Sequence, residues 1–176
     1  LEKTLSSREI YNGRILKLRI DDVRLPNGRR TKREIVEHSN AVAIVAIDAD
    51  DNVLLVKQFR KPVEKELLEI PAGCMENGEE ADVTVSREMR EETGYRPQKI
   101  ERLGGFYSTP GFCTEYLYLY LATDLVADGL HAEDTDDIEL VRVPLHKIAG
   151  LISSGTICDA KSIAGLLLYL AVKKPG

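Results

Sequence analysis

The order of elements along this sequence predicts an α/β protein, a mixed sheet with helices on both sides. Three observations carry that expectation. Ala41 to Ile47 is a continuous apolar run, which suits a central strand buried on both faces. Glu79 to Thr93 lacks both Gly and Pro and is followed by Gly94, so it reads as a helix with a left-handed stop. Asp159 precedes Ile163, Leu166, Leu167 and Leu170, an N-cap followed by one apolar helix face.

The remaining elements follow in chain order. Ile15 to Leu25 alternates apolar and polar residues, Pro26-Asn27-Gly28 turns the chain, and Thr31 to His38 returns as the second arm of a hairpin. This divides the chain into an N-terminal β-hairpin region, residues 1–40, and a main domain, residues 41–176. Asp48 to Asn52 turns the chain into a strand from Val53 to Phe59. Arg60 stands at its mouth, where a guanidinium suits bidentate bonding to a diphosphate or, equally, an ion pair with Glu64 or Glu66. In Glu69-Ile70-Pro71-Ala72-Gly73, Pro71 lacks an amide donor and Gly73 lacks a side chain, so a ligand can approach the backbone closely. Lys99 to Tyr107 and Tyr116 to Thr123 read as strands joined by a loop carrying Pro110, Gly111 and Glu115. Ala132 to Glu139 reads as an acidic exposed loop before a strand at Ile138 to Val143, and Pro144 opens a helix through Ile152.

Composition narrows the partners. A net charge of −5 disfavours nucleic acid, whose phosphates are bound through an excess of Lys and Arg. Neither of the longest apolar stretches, Ala41 to Ile47 and Gly165 to Val172, is long enough to cross a bilayer, and no secretory signal is visible. Cys74, Cys113 and Cys158 are odd in number and lack zinc spacing, which implies free thiols in a reducing cytoplasm. His38, His131 and His146 are scattered, with surface or packing roles expected of each.

The chemistry concentrates on the helix from Glu79 to Thr93. At about 100° per residue, Ala81, Val85 and Met89 form an apolar stripe. Glu88 and Glu92, one turn apart, fall on that stripe, and Glu91 flanks Glu88. Like charges at this spacing weaken a helix, and burying them unpaired costs several kcal/mol. A hard divalent cation such as Mg2+ or Mn2+ removes both penalties and shares its coordination with substrate phosphates. The alternative is a solvated acidic helix paired to Arg87 and Arg90.

Gly73, then Glu79, then Arg87-Glu88-Met89-Arg90-Glu91-Glu92-Thr93-Gly94-Tyr95 resembles the signature of the Nudix hydrolases, with Tyr95 standing where an aliphatic residue is more usual. Pro110-Gly111 with Glu115 beyond the signature resembles the ADP-ribose pyrophosphatase branch. The resemblance implies an α/β/α sandwich and metal-dependent hydrolysis of a nucleoside diphosphate sugar, with ADP-ribose yielding AMP and ribose 5-phosphate. By that resemblance Ala72, Glu88 and Glu92 ligate Mg2+ or Mn2+ and Arg87 orients the carboxylates. Glu115 or Glu91 is the general base, with Glu115 preferred, and Arg60, Glu69, Gly73, Pro110 and Gly111 meet the substrate. It also implies a homodimer in which the N-terminal strands lend Arg33 and Ile15 to the partner's nucleotide, although a solvated strand face is the commoner account of a cluster such as Arg29 to Arg33. Other substrates of the same class, GDP-sugars, dinucleoside polyphosphates or oxidised nucleoside triphosphates, and a non-enzymatic nucleotide sensor remain the rival readings. Asp159-Ala160-Lys161-Ser162 also resembles the branch's C-terminal segment.

Overall fold

The computed structural model describes residues 1–130 and 137–172. His131 and most of the expected acidic loop, residues 132–136, lie outside them. The chain forms two compact units, one of Leu1–Asn40 with Tyr107–Tyr116, the other of Ala41–Phe106 with the chain from Leu117 onward.

In the first unit, β1 (Lys3–Asn12), β2 (Leu16–Arg24) and β3 (Arg30–His38) form an antiparallel sheet in the order β1-β2-β3. The expected hairpin is β2 and β3, its turn closed by the Gly28 N–H to the Leu25 carbonyl, with Gly28 at φ +84°. The sheet also has a strand that the hairpin reading lacked. Every residue of β1 is exposed, so its sequence has no reason to alternate, and it is held by backbone pairing to β2. The segment 107–116 is tied to β3 by the Val36 N–H to Phe112 and the Thr114 N–H to Val36, at 2.7 and 3.0 Å.

The second unit is built on β4 (Ala41–Ile47), every residue of which is buried. Around it run β5 (Asn52–Arg60), β6 (Lys65–Glu69), β7 (Ala72–Cys74), β8 (Tyr95–Tyr107), β9 (Tyr116–Ala127) and β10 (Glu139–Pro144). The order is β10-β5-β4-β9-β8, with β6 beside β5 and β7 beside β4. The sheet is mixed, since β4 runs parallel to β9 and antiparallel to β5 and β7.

Strand geometry sends alternate side chains to opposite faces. Val42, Ile44 and Ala46 pack with Val85 and Met89 of α1 (Ala81–Thr93). Ala43, Val45 and Ile47 pack with Ile148 of α2 (Ile148–Ser153) and with Leu166 and Tyr169 of α3 (Ala160–Val172). Helices therefore cover both faces, as the expected α/β/α sandwich requires.

Several boundaries differ from expectation. β8 begins at Tyr95 rather than Lys99; it is an edge strand, where Pro97 can sit without an amide to donate. Pro144 ends β10, and a 3-10 turn at Leu145–Lys147 precedes α2. On α3 the buried face is Ser162, Gly165, Leu166 and Tyr169, while Leu167 is 47% exposed. Gly165 explains the rotation: a Cβ there would lie 3.0 Å from Ile70 Cδ1, so small residues let the helix close onto the sheet.

Candidate active site

Helix α1 positions the carboxylates. Glu80 is its N-cap, Asp82 complements the dipole in the first turn, and Gly94 closes it at φ +76° with its N–H on the Arg90 carbonyl. The Leu130 N–H also reaches that carbonyl, and Arg90 bonds the carbonyl and carboxylate of Asp128. Glu79, the first residue of the span expected to be helical, lies just before the helix, ahead of the Glu80 N-cap. With Val85 and Met89 fully buried against β4, the helix cannot rotate, and Glu88 and Glu92 are delivered to β7.

The two carboxylates meet consecutive residues there. Glu92 Oε2 accepts the Ala72 N–H at 3.0 Å. Glu88 lies so close to Gly73 that a Cβ on that residue would stand 1.9 Å from its carboxyl carbon. Gly73 is therefore required by the space the Glu88 carboxylate fills. Arg87 ties the group together. Its Nε and Nη2 bond Glu79 at 3.1 Å each, Nη1 bonds Glu88 at 2.7 Å and Glu91 at 3.1 Å, and Nη2 also reaches the Cys74 carbonyl. The expected pairing of Arg87 with Glu91 is present as one strand of this wider net; Arg90 serves the helix end instead.

Glu79 and Glu92 are shifted in opposite directions. Arg87 hydrogen bonds hold the Glu79 carboxyl down at about 2. Glu92 goes the other way. Burial pushes its carboxyl up to about 8, and the Glu88 carboxylate adds to the rise against the pull of the Ala72 N–H. Two carboxylates and the Ala72 carbonyl are hard oxygen donors, as Mg2+ or Mn2+ requires, and a cation would relieve the repulsion recorded at Glu92. The residues present thus fit a divalent ion. Among the described residues no three His, Cys, Asp or Glu side chains gather into a cage of their own, so an ion here would have to draw on backbone oxygen and on substrate or water.

A second cluster lies at the end of β6. Arg60 donates to Glu69 from Nε at 3.0 Å and from Nη2 at 2.7 Å. This corrects the expected pairing with Glu64 or Glu66, which bond Lys61 and Lys57 instead. Glu69 is 2% exposed and also receives the Lys161 ammonium. Burial raises its carboxyl, but Arg60 and Lys161 more than offset that and leave it below the ordinary carboxylate range. Sequence reading placed Lys161 only within the segment Asp159-Ala160-Lys161-Ser162 and gave it no role of its own.

The other expected site residues belong to the first unit. Glu115 pairs with His38 Nδ1 at 3.4 Å. Pro110 and Gly111 are exposed in the segment before it. Arg33 bonds Glu2 through Nε at 3.1 Å and Nη2 at 2.6 Å, and Ile15 is 63% exposed.

Residues 37–165 match the NUDIX domain, and residues 2–36 match the nucleoside diphosphate sugar hydrolase N-terminal domain. The chain belongs to the Nudix family. It is 41% identical to an ADP-ribose pyrophosphatase of Bacillus subtilis over 98% of this chain and 94% of that protein. It is 42% identical to a methanol dehydrogenase activator of Bacillus methanolicus over 92% and 89% of the two chains. The crystal structure of an ADP compounds hydrolase shares the fold, with a TM-score of 0.89, 22% identity and coverage of 98% and 95%.

Proposed function

We propose that this chain hydrolyses ADP-ribose to AMP and ribose 5-phosphate in a reaction dependent on Mg2+ or Mn2+. The observation that carries the proposal is the meeting of the Glu88 and Glu92 carboxyls at Ala72-Gly73, where a divalent cation would offset their mutual repulsion. Its likeness to the Bacillus subtilis pyrophosphatase supports the substrate.

In this reading Glu88, Glu92 and the Ala72 carbonyl would hold the ion. When bound, such an ion would supply charge neutralisation at the diphosphate and polarisation of phosphorus towards water. Arg87 fixes Glu88 and Glu91 in direction, and Gly73 leaves room for the Glu88 carboxylate. Arg60, clamped by Glu69, turns its remaining donors to the diphosphate. Glu115 takes the proton of the attacking water, with Glu91 as the alternative base, and Pro110-Gly111 shapes the loop that carries Glu115. A second copy pairs through the N-terminal strands and lends Ile15 and Arg33 to the nucleotide. No helix among the described residues is long and apolar enough to cross a membrane, and the thiols of Cys113 and Cys158 suit a reducing cytoplasm.

One relative is named for activating a dehydrogenase and not for a substrate, so a substrate panel is the deciding experiment. ADP-ribose, GDP-mannose, diadenosine polyphosphates and oxidised nucleoside triphosphates are incubated with Mg2+ and with Mn2+, and products are separated chromatographically. AMP from ADP-ribose, nearly abolished by Glu92→Gln and reduced less by Glu79→Gln, is the expected result. Equal, small effects of the two substitutions contradict the metal assignment.

A further inference from the structure

Glu69 carries one negative charge and is held by two cations. Both of its oxygens are engaged by Arg60, and Oε2 also takes the Lys161 ammonium. With Arg60 as its sole partner, a carboxylate this deeply buried would form a closed neutral pair, and little positive potential would be left at the outer edge of the guanidinium. Lys161 changes that balance. Its own second contact, Asp159 Oδ2 at 3.0 Å, is shared with the Ser162 N–H at the start of α3, so the helix terminus offsets part of that carboxylate.

The ammonium is held in place by packing as well as charge. Ser162, the next residue, is fully buried, and its hydroxyl accepts the N–H of Ile70, the residue after Glu69, at 2.9 Å. Gly165 brings the following turn against the Ile70 side chain. The first turn of α3 is thus fastened to the end of β6 beside Glu69. Arg60 is 39% exposed at its side chain, against 15% for Lys161. The outward-facing cation is Arg60, with Nη1 outside the Glu69 clamp.

We propose that Lys161 is a positioning residue for substrate binding: it supplies the counter-charge to Glu69 that lets Arg60 be clamped and still act as a net cation towards the diphosphate. This rests on the hydrolase reading above. It deepens that reading by assigning substrate affinity to a residue that does not itself meet the substrate.

The test is a double-mutant cycle of Arg60→Met and Lys161→Met, with Lys161→Arg as rescue, read by steady-state hydrolysis of ADP-ribose and by calorimetric binding of α,β-methylene ADP-ribose. Each single change is expected to raise KM and the analogue Kd about tenfold with kcat within about twofold, a loss of binding shared by ground and transition states. The double variant should also show about tenfold, because Lys161 acts through Arg60. Lys161→Arg should recover most of the loss. A hundredfold loss in the double variant, failure of the arginine to rescue, or a fall in kcat with KM unchanged overturns the proposal. Should Lys161→Met not fold, Lys161→Gln, which keeps a hydrogen bond without the charge, carries the same expectation. A wild-type chain inert towards ADP-ribose overturns the hydrolase reading itself. An Arg60→Met variant with raised KM beside an unaffected Lys161→Met overturns the Lys161 inference alone.

Discussion

Substituting Gly73 by Ala tests the carboxylate site with a single methyl group. The backbone at Gly73 is strand, which alanine adopts without strain, so the whole effect comes from the side chain. The new Cβ would sit 1.9 Å from the Glu88 Cδ and Oε1 and 2.4 Å from Oε2. Ordinary contact begins near 3.4 Å, so the carboxylate must retreat by about 1.5 Å. It can do so by rotating a flexible side chain, and the fold should survive at a cost of about 1–3 kcal/mol. The site should not, since a displacement of about 1 Å in a catalytic group costs on the order of 100-fold. The expected outcome is kcat/KM for AMP release lowered by roughly 100-fold or more, with a higher Mg2+ requirement. Gly78→Ala is the control. Gly78 is at φ +80° with no atom within 4 Å of the new methyl, so it should lose about 1 kcal/mol of stability and keep its activity. A Gly73→Ala enzyme with wild-type turnover and Mg2+ dependence refutes the placement of Glu88 at the reacting centre.

Two further outcomes follow from the same geometry. Arg87 holds Glu79 at about 2 against 4.5 when unfolded; a depressed carboxyl contributes stability above 4.5 that is lost as pH falls towards 2. Screened at the protein margin, that contribution is about 1–2 kcal/mol, so urea unfolding should find Glu79→Gln weaker than wild type by that amount at pH 6, with the gap shrinking below 4.5 and closing only near pH 2; a constant gap across the range counts against the pair. Met89→Ala removes a fully buried side chain from between α1 and β4 and should cost about 2–5 kcal/mol in denaturant midpoint analysis, whereas a loss under 1 kcal/mol would mean the helix is not seated as described.

Much of the site was legible because its chemistry is local. Glu88 and Glu92 lie one turn apart in sequence as on the helix, and Val85 and Met89 announce the face that turns them inward. The sandwich was legible from Ala41 to Ile47, since a strand buried on both faces needs a layer on each. What escaped reading depends on distant partners. β1 has no inward side, so no pattern in its sequence marks it. Leu167 fits an apolar stripe on a helical wheel, yet Ser162 and Gly165 set which face closes on the sheet, through Ile70 nearly a hundred residues earlier. Arg60 had acidic neighbours at Glu64 and Glu66, but its partner is Glu69 on the adjacent strand, paired across β5 and β6. The Lys161 contact joins residues 92 apart, beyond any local pattern.

The alternating side chains of β4 make that strand a shared keel for two helices with different duties, one bearing Glu88 and Glu92 and the other carrying Lys161 in its first turn. Neither helix can detach without exposing one face of the same seven residues, so the two layers should melt as one cooperative block. Amide protons along Ala43 to Val45 would then exchange with solvent only through global unfolding, and a lesion in either layer would be felt as slackness in the other.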